Sequence, residues 1–362
     1  LINHFPCKAP CIRIYTTHYS SRNDEPLMNI HRQYSRRALL SRFGTGLGML
    51  ALPELLQGAK TPLALKPTHF PAKAKHIIHV YLNGGPSQVD TWDYKPRLNE
   101  FYGKPLPVSH PTEREVGVAL PSPFKFRRYG KTGLWCSEIF DQTASKHADK
   151  ICVIKSMYAN TPNHEQSMRL MNTGDERLSR PSYGAWLTYG LGTENQNLPG
   201  YVSMCPGLPV ADSSNWRSSF LPGIYQGTYL DTRNDTVDKL IANIRNARLS
   251  PQSQRQQLDL LSRLNRVHQE RRADDPKLEA RIQSFELAYR MQMEATDAFD
   301  ITRETKATQD LYNASSIHGR QLLIARRLVE RGVRVVQCFH GDVQPWDTHG
   351  GLEAGLRNLG SQ

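Results

Sequence analysis

The sequence predicts an α/β domain. Three β-branched-rich apolar runs each end in Gly, Asn or a polar cluster, and the last run directly follows a helical pattern. Residues suited to binding or catalysis gather just past the run ends, where ligands of open α/β sheets bind. Near-continuous apolar runs suit strands covered on both faces.

Residues 1–27 contain no methionine and no periodicity, and Met28 stands just ahead of the next motif. Translation is expected to start at Met28, with 1–27 an upstream artefact or a disordered stretch. Residues 28–60 read as a twin-arginine export signal: Ser35-Arg36-Arg37 leads into an apolar run from Phe43 to Leu56. Gly44, Gly46, Gly48 and Pro53 argue against a stable surface helix. The run is shorter than the ~20 residues of a spanning helix, and Glu54 interrupts it. The expected partner is the twin-arginine translocase, which carries proteins out already folded, and the expected location is periplasmic or cell-surface.

The net charge of +12 is uneven, since residues 1–75 hold 11 Lys/Arg against 3 Asp/Glu. Basicity therefore belongs mostly to the targeting region, and nucleic acid is not an expected partner. Of the six cysteines, Cys136, Cys152, Cys205 and Cys338 are scattered without metal-type spacing. Cys152 and Cys338 sit in apolar runs and are expected to be buried thiols.

The predicted strands are 76–82, 151–157 and 332–340. Residues 95–135, rich in Pro and Gly, predict a surface excursion. Residues 235–330 predict a helical insertion, with amphipathic helices over 252–272 and 277–298 around a break at Asp274-Asp275-Pro276. A helix over 315–331 would turn Ile317, Leu322, Leu323, Ala325, Leu328 and Val329 to one side, then feed the third strand.

Four clusters follow. Asn83-Gly84-Gly85-Pro86-Ser87 lets backbone approach an anion closely, and Asp90 and Asp93 are hard oxygen ligands of the kind a divalent cation needs. In Asn160-Thr161-Pro162-Asn163-His164, a helix start, either Thr161 or His164 could present a nucleophile or ligand; a plain N-cap explains the residues equally well. Asp347-Thr348-His349, between Trp346 and Gly350-Gly351, suits a mixed oxygen and nitrogen metal site, with His340 a third possible ligand. Ser137 reads as the N-cap of a short helix.

Taken together, these pieces resemble the exported bacterial family called domain-of-unknown-function 1501. The resemblance rests on Asn83 to Asp93, Ser137-Glu138 with Thr143-Ala144, and Asn163-His164 through Asn172-Thr173-Gly174. It also rests on Ala325 to Val333 and on Trp346 to Gly350, and it runs from about Lys75 to the end. That family is similar to the alkaline phosphatase and sulfatase superfamily. The resemblance implies a mostly parallel sheet with helices on both faces over 75–362, and a divalent metal (zinc, calcium or manganese) at the strand ends. It implies metal ligands Asp90, Asp347 and His349, with Thr161 or His164 at the nucleophile position. Asn83, Gly84, Gly85 and Ser87 would contact substrate. Asn83 stands where many superfamily members carry a metal-binding Asp, and the sulfatase signature of Cys or Ser followed by x-Pro-x-Arg is absent. The family usually continues with Glu-Phe-Gly-Arg and Gly-Arg-Asp-His motifs, so the C-terminal part of the domain is expected beyond Gln362. The implied function is hydrolysis of phosphate or sulfate esters, on a small-molecule or polysaccharide substrate. The alternative is a non-catalytic envelope or polysaccharide-associated protein on the same fold.

Overall fold

The structure, a computed structural model, describes residues 62–105, 117–241, 244, 248–271 and 276–362. The export segment 28–60 and the break at Asp274-Asp275 lie outside the described residues. In chain order the elements are strand β1 (Ile77–Tyr81), strands β2 (Phe126–Tyr129) and β3 (Leu134–Ser137), and helices α1 (Asp141–His147), α2 (His164–Thr173) and α3 (Tyr183–Leu191). Strands β4 (Tyr201–Cys205) and β5 (Thr228–Asp231) follow. Then come helices α4 (Val237–Leu240), α5 (Pro251–Arg271), α6 (Pro276–Phe299), α7 (Lys306–Leu311) and α8 (Ile317–Glu330). Strand β6 (Val335–Phe339) and helix α9 (Leu352–Gly360) complete the order.

Strands β1, β6, β4 and β5 form one parallel sheet in that order. The register aligns Ile77 with Val335, Tyr201 with Val335, and Val202 with Thr228. All four carboxyl ends therefore lie on one edge. Side chains alternate across the pleat. Val202, Met204, Leu230, Val336 and Cys338 face one core, shared with Leu287, Met291 and Phe299 of α6 and Ile324 and Leu328 of α8. Tyr201, Cys205, Val335 and Phe339 face another, shared with Met168 of α2, Trp216 and the flanking Tyr183 and Leu187 of α3. Helices thus cover both faces, as expected.

Two of the three expected strands form, as β1 and β6. Residues 151–157 do not pair. Ile154 and Met157 are 63% and 66% exposed, Cys152 is exposed rather than buried, and Lys155 is drawn to Asp93 at 3.2 Å. Composition there favours a strand, but no neighbouring strand is available to satisfy its backbone. Cys338 is fully buried, as expected. The expected excursion 95–135 carries a hairpin instead, with β2 and β3 antiparallel.

Helix α8 starts where Ser316 Oγ accepts from Gly319 N at 3.0 Å. A Cβ on Gly319 would lie 2.0 Å from the carbonyl oxygen of Tyr312, so only glycine fits. The helix buries Leu323, Ile324, Ala325 and Leu328 completely, each of the larger three worth about 1.5–3 kcal/mol. Ile317, expected on the apolar side, is exposed. Within 235–330, α6 is part of the sheet's core, whereas Leu260, Leu261 and Leu264 of α5 stay exposed. Arg255 of α5 reaches Glu286 of α6 at 2.7 Å. Among the described residues no helix is long and apolar enough to cross a membrane.

A buried polar chain ties α2 to the sheet. Tyr201 Oη donates to Gln337 Oε1 (2.6 Å), Gln337 Nε2 to Asn172 Oδ1 (2.7 Å), and Asn172 Nδ2 to Asn215 Oδ1 (3.0 Å). Buried polar groups persist only when paired, so this chain fixes where α2 lies and where its first residue, His164, points.

Candidate functional site

Two carboxyl-end loops and one helix start meet at Asp347. The loop after β1 packs directly on the loop after β6. Asn83 Nδ2 donates to the carbonyls of Gly341 (3.1 Å) and Val343 (2.8 Å), and its own carbonyl accepts from Trp346 N at 3.0 Å. Gly84, at φ +99°, has no room for a side chain: a Cβ would lie 2.5 Å from Asp347 N and 2.7 Å from Gln344 O. The glycine pair expected to approach a ligand thus brings two loops together, with Gly84 as the contact. Gly85, at φ +79°, faces open space.

The helix start is built by Asn163, whose Oδ1 accepts from Glu165 N (3.0 Å) and Gln166 N (3.3 Å). Thr161 braces the same turn. Its hydroxyl donates to Gln166 Oε1 at 2.6 Å and accepts from Asn163 N at 3.2 Å. The N-cap reading and the functional one both hold in part, because the capped turn presents His164 as the first helical residue. Gly174 closes α2 in the left-handed conformation.

His164 Nε2 lies 3.1 Å from Asp347 Oδ2, and His349 Nε2 lies 2.7 Å from the same oxygen. Gln344 Nε2 donates to it at 3.1 Å. The carboxylate is mostly buried while His349 remains open to solvent. Two imidazoles therefore converge on one carboxylate oxygen from distant parts of the chain. Among the described residues, no three His, Cys, Asp or Glu side chains enclose a point suited to a metal ion. The three groups stand as a hydrogen-bonded cluster, in which the imidazoles point at the carboxylate rather than at a shared centre.

Asp90 is buried, with Oδ2 accepting from Ser87 Oγ at 2.6 Å and Oδ1 left without a partner. No hydrogen bond or ion pair joins Asp90 to Asp347 or His349 among the described residues. Asn83 Oδ1 is likewise buried and unpartnered. Asp93 is taken up by Lys95 (2.9 Å) and Lys155 (3.2 Å), which hold its carboxyl below the usual range against the opposing effect of burial.

His340 faces inward. Its Nδ1 accepts from Trp346 Nε1 at 3.0 Å, Nε2 meets Gln362 Oε1 at 3.1 Å, and the ring stacks on His318 at 4.1 Å between centroids. Both nitrogens are engaged, so His340 is a support for the loop carrying Trp346 and Asp347 rather than a third ligand. Burial lowers its pKa, and burial together with the neighbouring His340 lowers that of His318 to about 4. Two participants were missed from sequence. Gln344 carries no motif signal beyond its place three residues before Asp347. His318 sits in the first turn of α8 and carries no motif signal.

Residues 74–362 match the family described as protein of unknown function (DUF1501). The chain belongs to the DUF1501 family. No curated protein and no solved structure matches it. In DUF1501 terms, the matched span begins just before β1 and takes in every residue of the Asp347 cluster.

Proposed function

We propose that this DUF1501 chain is an exported, metal-dependent hydrolase of phosphate or sulfate esters on an alkaline-phosphatase- and sulfatase-like fold. The observation that carries the proposal is the convergence of His164 and His349 on one oxygen of Asp347 at the carboxyl edge of a parallel sheet. Two imidazoles and a carboxylate are a donor set suited to zinc or manganese and poorly suited to calcium, which prefers oxygen alone. Asp347, His164 and His349 would hold the ion once the two imidazoles turn from the Asp347 oxygen they now meet to a shared centre. Such an ion would supply Lewis-acid stabilisation of charge at the attacked centre.

The chain's own groups perform the positioning. Gln344 holds Asp347 Oδ2 by its amide, Asn83 fixes the 341–346 loop, and Asn163 fixes the first turn of α2. Thr161 gives its own proton to Gln166, so its hydroxyl would need to exchange that partner before acting as a nucleophile. Export through the twin-arginine translocase, motivated by Arg36-Arg37, would deliver the folded domain to the periplasm or cell surface.

The test is elemental analysis of purified protein and of Asp347→Ala, alongside aryl phosphate and aryl sulfate assays. Bound zinc or manganese lost in the variant, with ester turnover lost alongside it, is expected. Protein that holds no metal and turns over no ester would overturn the hydrolase and leave the non-catalytic envelope role.

A further inference from the structure

Away from Asp347, the structure gathers arginines on the far side of α2. Arg169 lies five residues beyond His164, which carries it about 140° around the helix axis. Arg177 and Arg180 follow the end of α2, and Arg217 comes from the segment before β5. The four line a cavity of ≈ 200 Å³ bordered by Thr173 and Ser214.

The walls are tied to each other. Ser182 N donates to Arg217 O (2.9 Å), Ser219 Oγ to Ser179 O (2.7 Å), and the buried Asn172–Asn215 bond lies beneath. Three guanidinium groups have acidic neighbours: Arg169 with Glu165, Arg177 with Glu176 at 3.3 Å, and Arg180 with Asp175 at 3.4 Å. Asp175 is itself committed to the backbone, accepting from Leu178 N (2.8 Å) and Arg177 N (2.9 Å). The Arg217 guanidinium meets Ser213 Oγ at 3.0 Å and has no carboxylate partner among the described residues.

Each guanidinium carries five donors, and bonds within the chain use one or two of them. Guanidinium forks match the geometry of tetrahedral oxyanions. The cavity holds roughly seven liquid-water volumes, enough for such a group and residual water. Three carboxylates face the four guanidinium groups and leave one positive charge over, which favours an added anion in the cavity.

We propose that this cavity binds a phosphate or sulfate group, at a site separate from the Asp347 cluster and independent of the hydrolase reading. The group is either a free oxyanion or one borne on a polymer, and the chemistry of recognition is the same.

Calorimetric titration at constant ionic strength tests this, with inorganic phosphate, inorganic sulfate and heparin as probes. In an Asp347→Ala background, which removes the proposed hydrolase site from the titration, Arg180→Gln/Arg217→Gln is expected to weaken binding at least tenfold. Binding of the inorganic ions identifies the free oxyanion, and binding of heparin alone identifies the polymer-borne group. Circular dichroism checks the fold. Should the double variant misfold, Arg217→Lys, which keeps the charge and loses the fork, is expected to bind several-fold more weakly. Asp347→Ala protein that binds no probe, or arginine variants that bind as that background does, would overturn the proposal.

Discussion

Val343 holds φ at +51° beside the Asp347 loop, a region where a β-branched residue is strained. Its side chain is half exposed, so little packing is at stake. Left-handed backbone costs an L-residue about 1–2 kcal/mol, and glycine's extra unfolded freedom returns roughly half of that. Val343→Gly is expected to stabilise the protein by about 0.5–1 kcal/mol, read as a higher urea midpoint at unchanged slope. His318 supplies a second residue-scale prediction. Its folded pKa of about 4 lies below the ordinary 6.5, so the unfolded chain binds more protons between those values. Stability should fall as pH drops through 6.5 and stop falling from this cause below about 4, a loss of roughly 3 kcal/mol. His318→Phe keeps the ring against His340 and should flatten that part of a melting-temperature profile against pH. An unchanged profile would show that the buried stack does not control acid sensitivity.

At the scale of elements, what matters is how α2 and the two loops are held. Gln337 lies mid-strand in β6, yet it joins Tyr201 of β4 to Asn172 of α2. Gln337→Leu would leave the Asn172 side-chain carbonyl buried and unpaired and leave the Tyr201 hydroxyl with Ser182 alone, and is expected to cost about 1–3 kcal/mol. Because the same chain aims α2, retention of the proposed ion should fall with it, which a chelator competition on folded variant would read. Gly84 is the corresponding point for the loops. Gly84→Ala places a methyl on the backbone of Asp347 at a φ alanine resists, so a loss of about 2 kcal/mol or more is expected by denaturant unfolding. The strand signals show why some elements were legible and others were not. β1 and β6 are long apolar runs. β4 reads Tyr-Val-Ser-Met-Cys, as long as β1 and β6 but interrupted by Ser203 and bracketed by Pro199-Gly200 and Pro206-Gly207, and only its position between β6 and β5 makes it a central strand with every residue buried. Residues 151–157 have the better composition and no place in the sheet.

For the whole molecule, the prediction concerns compartment. Arg36→Lys/Arg37→Lys is expected to leave folding of 75–362 intact while abolishing export, measured by fractionating cells that express the chain. Export unaffected by the pair would remove the twin-arginine route. Much of the site was legible as well. Asp347 and His349 stand two residues apart after a strand, and His164 follows an N-cap signal, so each was visible as a local pattern. Their meeting was not, since nothing in either segment encodes the other's position.

The sequence by itself determined what depends on near neighbours along the chain. It carries the caps of α2 and α8, two of the four strands of the parallel sheet, the helical block after residue 235, and the concentration of most of the excess positive charge in the first 75 residues. Tertiary structure decided which runs pair, that Asn83 and Gly84 serve as loop contacts, that His340 turns inward to Trp346, and that His164 and His349 share one oxygen of Asp347. Caps and propensities are settled within a turn or two of chain. Partners across a sheet are settled by the competition of all segments for the same buried surface, which no single segment contains.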